Sequence, residues 1–376
     1  MDFSRLDKFL EEHLAYYGFH GCDAGVVYKG ETVYRKQFGI DDCETGKKID
    51  GNELYYIFSA SKPITCTGAM RLVERGLLDL DAPVSKYLPE YKNVKVRTAD
   101  GSVEAKNVMT VRNIFTMTAG FDYNLRSDAI MKGFEKNPDM TTREVAYALS
   151  EFPLHFEPGT KYMYSLCHDV LAAVVEVVAD MKFSEYQKKN IFEPLGMKDS
   201  CFHIEESDRT RFAAQYVYDP DKKISNKREL ACPYTLSKNH DSGGAGMISS
   251  VEDYLKFVNA MSLGGTTKDG YVLLKKESID EMRRNQLSKE LERMFTRRPN
   301  GYSYGLGVRT LIDKEAQNAK SALGEFGWDG AACAYLLIDP ENQVGIFYGQ
   351  NTLNCAPMYS MGHPMIRDLA YEGLGL

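Results

Sequence analysis

Ser59-Ala60-Ser61-Lys62 places a serine hydroxyl three residues before a lysine amine. In a helix, positions i and i+3 share a face, so these two side chains can meet. A serine hydroxyl is a weak nucleophile at neutral pH, and a neighbouring neutral amine can take its proton as attack begins. Pro63 follows at once, and proline suits the first turn of a helix, where its missing N–H goes unmissed. The small and apolar run 64–72 then predicts a buried helix. A serine at such an N-terminus also feels the positive end of the helix dipole. These residues look like the opening of a serine acyl-transfer site. Taken alone, they also fit a cap serine followed by a solvated lysine.

Two downstream groups can complete that chemistry. Pro158-Gly159 marks a turn, and an apolar helical run follows at 170–179. Tyr164 therefore sits on a loop entering a helix, where a phenol can point into a cleft. The plain alternative is a packed tyrosine, one of 24 in the chain. Further on, Trp328-Asp329-Gly330-Ala331 stands directly before an expected strand. Gly330 lets backbone approach a ligand closely, and the next N–H, that of Ala331, can donate to an oxyanion. A tight turn feeding a strand fits the same four residues.

Rival chemistry finds less support. Gly301-Tyr302-Ser303-Tyr304-Gly305 matches the G-x-S-x-G nucleophile elbow, but that motif needs a strand, a sharp turn and a helix. Residues 306–311 alternate like a strand instead, so Ser303 reads as a strand residue between aromatic neighbours. The seven histidines include no H-E-x-x-H and no close ligand pair, so no metal is expected. His168, near Tyr164, and His240, before a glycine-rich segment, read as structural. Cys167 adjoins His168, but adjacent helical residues face apart, which argues against a thiol nucleophile.

Hydrophobic periodicity supplies the elements that must hold these groups. Phe3, Leu6, Leu10, Leu14 and Tyr17 recur at helical spacing. Residues 25–28 and 32–38 alternate as two strands around Lys29-Gly30, a hairpin signal. Helices are expected at 111–117, 143–150, 171–179, 183–191 and 251–261, and strands at 302–310, 332–338 and 343–348. The charged stretch 275–298 reads as a solvated helix and a loop able to cover a cleft. The expected fold is α/β (α+β): an antiparallel sheet flanked by helices, built from both chain ends, with a mainly helical lobe inserted. One domain spans 1–376, its sheet lobe formed by 1–58 and 264–376 and its helical lobe by 59–263.

Composition bounds the rest. A 376-residue chain with 43% hydrophobic content can bury an ample core. A formal charge of −7 without a long basic run gives nucleic acid binding no electrostatic support. The eight cysteines are scattered and form no C-x-x-C, which predicts reduced thiols and a cytoplasmic location. No basic-then-apolar leader opens the sequence and no stretch approaches a membrane span, so no membrane partner is expected. Oligomeric state is not legible.

Together the pieces resemble the serine β-lactamase and penicillin-binding-protein superfamily, with its ordered motifs S-x-x-K, S/Y-x-N and K/H/W-x-G. The flavour is that of the class C β-lactamase-like branch, which includes family VIII carboxylesterases, D-aminopeptidases and acyltransferases. The likeness runs from about residue 20 to about 350. It includes Phe156 to Ser165, Asn190-Ile191-Phe192-Glu193-Pro194-Leu195-Gly196-Met197, the run Gly243-Gly244-Ala245-Gly246-Met247 with Asp253, and Tyr304-Gly305-Leu306-Gly307. The resemblance implies Ser59 as nucleophile, Lys62 and Tyr164 as shared general bases, and the Ser59 and Ala331 N–H groups as the oxyanion hole. It places Leu166, Trp328, Asp329 and Gly330 at the substrate. Two positions depart from the pattern: Leu166 stands where the family usually has asparagine, and Trp328 where lactamases carry lysine or histidine. Both polar handles for an antibiotic are missing while the acylating residues remain. The expected enzyme is a serine hydrolase of small-molecule esters or amides, with acyl transfer, D-aminopeptidase or weak β-lactamase activity as alternatives. A catalytically silent binding or assembling relative is the non-enzyme alternative. No cofactor is implied.

Overall fold

Lys29 and Gly30 both adopt positive φ, 52° and 85°, as the tightest β-hairpin turns require. They join strand β1 (Gly21–Tyr28) to β2 (Glu31–Asp42), and the computed structural model describes residues 1–295 and 301–376 around this start. Numbering only the strands of the main sheet, β3 is Lys47–Lys48, β4 Tyr302–Tyr304, β5 Arg309–Leu311, β6 Phe326–Gly327, β7 Tyr335–Asp339 and β8 Val344–Gly349. The sheet runs β4-β5-β6-β7-β8-β1-β2-β3, and every pairing is antiparallel. The two chain ends meet at its centre, where Val26 of β1 lies opposite Ile346 of β8.

Alternation sorts each strand's side chains to two faces. Cys22, Ala24 and Val26, with Leu337 and Ile346, form one apolar cluster with helix α1 (Ser4–Tyr17) and the C-terminal helix, His363–Leu374. Leu6, Leu10 and Leu14 of α1 are buried there beside Ile366 and Leu369 of the last helix. On the opposite face Leu336, Ile338 and Phe347 join the larger core of the helical lobe. The helix Val251–Ser262 lies against this face, where Tyr254 stacks on Phe347 with ring centroids 4.0 Å apart. Its close approach depends on missing side chains: a Cβ on Gly25 would sit 2.3 Å from Leu255 Cδ1, and one on Gly345 2.2 Å from Val258 Cγ1.

The helices expected between the two sheet halves are present as α2 (Ser61–Glu74), Val111–Phe115, Thr142–Ser150, α3 (Cys167–Ala179), Phe183–Gln187 and α4 (Val251–Ser262), with α5 (His363–Leu374) closing the chain. Thr110 and Thr141 each cap their helix through a full capping box. The mixed architecture read from the sequence is therefore the architecture of the molecule.

Several local readings need correction. The strand expected at 302–310 is a hairpin, β4 and β5, because the Gly305 N–H bonds Val308 O at 2.8 Å and Gly307 turns the chain at φ 79°. The strand expected at 332–338 starts only at Tyr335, since Cys333 adopts φ 67° and donates to Gly330 O at 3.1 Å. Helix Asp128–Lys136, helix α5, and the strand pairs Lys95–Thr98 with Gly101–Glu104 and Gln215–Asp219 with Ile224–Arg228 were not foreseen. Of the charged stretch 275–298, residues Lys276–Arg283 and Lys289–Glu292 are helical, while 296–298 lie outside the described residues. Among the described residues, no helix is long and apolar enough to cross a membrane.

Candidate active site

Ser59, the candidate nucleophile, is held by a short, strained entry into α2. Tyr55–Tyr56 pairs with Ile248–Ser249, and the next residue, Ile57, donates its N–H to Met247 O at 3.2 Å. Phe58 then takes φ 47°, a left-handed conformation unfavourable for a bulky residue. Ser61 holds it there: its Oγ donates to Phe58 O at 2.5 Å and accepts the Met247 N–H at 3.1 Å. Ser59 thus lies in a tight 3-10 turn, Phe58–Ala60, immediately before α2 begins.

Lys62 sits in the first turn of α2, with its side chain wholly buried. A buried amine needs hydrogen-bond partners, and three oxygens surround Nζ: Gly244 O at 2.6 Å, Ser59 Oγ at 3.1 Å and Tyr123 OH at 3.3 Å. The Tyr164 phenol closes the group, its oxygen 2.6 Å from Ser59 Oγ. Lys62 Nζ lies 4.6 Å from the centroid of the Tyr164 ring. Tyr123, Tyr164 and Trp328 form a row of stacked rings with centroids 5.3 and 5.5 Å apart. Trp328 Nε1 donates to the Tyr164 oxygen at 3.2 Å.

Opposite Ser59 stands the turn after Trp328. Gly330 is packed so closely that a Cβ would lie 2.4 Å from Ile57 O. This contact brings the peptide of Ala331 next to the segment carrying Ser59. The Gly330 N–H bonds Ala334 O at 2.9 Å. Asp329 Oδ1 faces Arg309 Nη1 at 3.5 Å and His363 Nδ1 at 3.6 Å, so its carboxylate is engaged beneath the turn.

Ser59, Tyr164, Trp328, Asp329, Gly330 and Ala331 all line one cleft of about 840 Å³. Leu166 does not. It precedes α3, bonds Asp122 O through its N–H at 3.0 Å, and is buried in the core where the chain turns inward. Ser303 is also away from the cleft, fully buried in β4, with its Oγ donating to Asn285 Oδ1 at 2.6 Å. His168 is buried beside Cys66, bonded to Phe115 O at 3.2 Å, and burial lowers its pKa to about 3. His240 is likewise buried and accepts the Leu236 N–H at 3.1 Å. Burial pushes the Cys167 thiol up to about 12, far from thiolate chemistry. Among the described residues no group of three or more His, Cys, Asp or Glu is placed to hold a metal ion.

Among the further cleft residues that escaped the sequence reading are Tyr123, Arg126, Tyr234 and Tyr359. The first three lie on irregular loops, and Tyr359 lies in the π-turn Met358–Gly362. None carries a periodic or spacing signal that could single it out among so many tyrosines. Arg126 is the one cationic side chain among the described residues of the cleft wall.

Comparison with known proteins identifies the family. The family model described as Beta-lactamase matches residues 6–368. Esterase EstB of Burkholderia gladioli is 31% identical over 352 residues, 87% of this chain and 84% of the esterase. The lovastatin esterase of Penicillium rubens is 27% identical, covering 84% of each chain. Among solved structures, EstCE1, described as a hydrolase with promiscuous acyltransferase activity, superposes with TM-score 0.82 over 98% of both chains at 24% identity, a likeness of fold. A family match across nearly the whole chain, joined to an esterase alike over most of its length, means that this chain belongs to the Beta-lactamase family and is a serine hydrolase of the esterase-like kind.

Proposed function

We propose that the protein cleaves small carboxylic esters through an acyl-enzyme on Ser59. The observation that carries the reading is the position of Ser59 Oγ, 3.1 Å from Lys62 Nζ and 2.6 Å from the Tyr164 oxygen, at the wall of a cleft of about 840 Å³. Ser59 Oγ attacks the ester carbonyl while its proton passes to the Lys62–Tyr164 pair, a coupled unit in which the two groups share the base's work. Where Tyr164 is the base it starts as phenolate, its charge held by the Trp328 N–H and the nearby lysine, and taking the Ser59 proton discharges it. The N–H groups of Ser59 and Ala331 receive the oxyanion. The pair then returns the proton to the leaving alcohol, and water releases the acid.

The walls suggest the substrate. Tyr123, Tyr164, Tyr234 and Trp328 favour a flat or ring-bearing ester. Trp328 offers no cation to the carboxylate of a β-lactam drug, and with Leu166 buried in the core that position presents no amide to its side chain, which supports esters over antibiotics. Acyl transfer to an alcohol uses the same intermediate, and the aromatic walls, which disfavour water, keep that second reading open.

The test is labelling with a fluorophosphonate, followed by mass spectrometry of the adduct. The expected adduct is on Ser59, lost in Ser59→Ala and retained in Ser303→Ala. Labelling that persists in Ser59→Ala would remove the mechanism. Product analysis with a competing alcohol separates hydrolysis from transfer.

A further inference from the structure

The turn bearing Ala331 is held from below by a part of the chain that carries no recognised motif. Tyr359 OH lies 2.9 Å from Gly330 O and 2.8 Å from Ala331 O, so its proton is shared between two successive carbonyls. The same oxygen accepts the Cys333 N–H at 3.4 Å. One turn later His363 Nε2 donates to Cys333 O at 3.1 Å, and its ring meets that of Tyr359 edge-on at 5.2 Å. This grip falls where the backbone is least able to hold itself, since Cys333 is a non-glycine residue at φ 67°.

We propose that Tyr359 is the positioning residue of the oxyanion hole. The argument rests on peptide geometry. Gly330 O and the Ala331 N–H belong to one planar trans peptide, so they point in opposite directions. A donor fixed on Gly330 O therefore aims the Ala331 N–H away from Tyr359, while Gly330 packs against Ile57 O in the segment that carries Ser59. It also draws electron density toward the carbonyl oxygen, which makes the N–H a better donor by hydrogen-bond cooperativity. Preorganised donors of this kind act on the transition state because they need not reorganise when charge appears. Burial raises the Tyr359 phenol well above its ordinary pKa, so it keeps the proton that it donates. Tyr359 itself lines the cleft wall, yet its hydroxyl serves the turn.

This inference rests on the acyl-enzyme reading, and the experiment separates the two. Wild-type protein and Tyr359→Phe, which keeps the ring and loses only the hydroxyl, are compared with p-nitrophenyl butyrate and with an arylboronic acid that mimics the tetrahedral state. Melting curves establish that both are folded at the assay temperature. The expected result is a fall in kcat of about tenfold, below the loss typical of deleting an oxyanion donor outright. KM stays within twofold, and boronate affinity falls in parallel with kcat/KM. Unchanged kcat, or a fall in kcat with unchanged boronate affinity, overturns the positioning role. A wild-type protein that is not labelled on Ser59 instead overturns the acyl-enzyme reading beneath it. Should Tyr359→Phe prove unstable, His363→Gln tests the same grip, with the same split between kcat and KM expected at smaller size.

Discussion

The two walls of the cleft are built by opposite means. On the nucleophile wall, Ser59, Ser61 and Lys62 come from four consecutive residues, and helical geometry brings the reactive atoms together. On the oxyanion wall, Gly330 and Ala331 sit in a turn that depends on Tyr359 and His363, which come from the last part of the chain. The first wall is also seated by distant groups, Ser61 on Met247 and Lys62 on Gly244, but its reacting atoms are adjacent in sequence. A turn held by distant partners is exposed to every substitution that shifts them. The two walls should therefore fail differently, the first by losing the base and the second by losing aim.

The largest contrast expected is between substrates. Short aryl esters need little beyond Ser59, Lys62, Tyr164 and two oxyanion donors. A β-lactam also needs its side-chain amide and carboxylate held, because remote binding aligns the carbonyl for attack. Each missing polar partner costs about 1–3 kcal/mol, so kcat/KM for nitrocefin should lie several powers of ten below that for p-nitrophenyl butyrate. Arg126 is the one cation among the described residues of the cleft wall. Nitrocefin turnover equal to ester turnover, abolished by Arg126→Ala, would show that this arginine replaces the missing handle.

Next in size are the bases. Lys62→Ala and Tyr164→Phe should each lower kcat by about 10² or more, the usual scale for a positioned general base. The double variant should lose little beyond the larger single loss, because two groups sharing one proton act as a unit. Fully additive losses would mean that the two residues act in separate steps.

Much of this was legible, and the reason differs from residue to residue. Ser59 and Lys62 could be read because their partnership is a matter of i and i+3. Tyr164 and the Trp328–Ala331 turn could be read from their order along the chain and from the phrases around them. Tyr123 could not: its 3.3 Å contact with Lys62 spans 61 positions of sequence, and nothing local marks it among 24 tyrosines. The hairpin at 302–311 was hidden because alternation continues across Gly305 and Gly307, which reverse the chain without breaking the pattern. Helix α5 carried its signal in Ile366, Leu369 and Ala370, interrupted by Pro364 and Gly373. Leu166 was misplaced because a motif position fixes a residue's place in order, whereas its side chain follows the start of α3 into the core.

Acid stability offers a test of the buried framework behind each wall. His168 lies behind the nucleophile wall and His13 between α1 and the sheet, where its Nε2 meets Tyr348 OH at 2.8 Å. Burial lowers their pKa values to about 3 and about 4, from 6.5 in the open chain. Below about pH 6.5 the unfolded chain takes up protons that the folded chain refuses. Stability is thus complete above that pH and is lost as the pH falls toward the folded values. Each histidine contributes up to about 1.4 kcal/mol per pH unit in that window. Urea midpoints at pH 7 and pH 5 should differ, and His13→Gln should show a flatter acid slope despite lower stability at pH 7. Equal slopes would mean that His13 is not held neutral.

The smallest effect should come from the residue that joins the walls. Trp328 begins the oxyanion turn, yet its indole stacks on Tyr164 and its N–H reaches the Tyr164 oxygen at 3.2 Å. Trp328→Phe keeps an aromatic ring in the stack and removes only the donor. A single hydrogen bond to a charged group is worth about 1.5–3 kcal/mol, but Lys62 still faces Tyr164, so about a tenfold fall in kcat is expected. The loss should appear on the base side: the pH–rate profile should shift, because one stabiliser of charge on the Tyr164 oxygen is gone, while affinity for a boronate stays near the wild-type value. Tyr359→Phe should show the reverse, with an unshifted profile and weaker boronate binding. If both variants shifted the pH–rate profile, or both weakened boronate binding, the cleft would have to be treated as one coupled unit, and the division between a locally built wall and a remotely held one would not describe its chemistry.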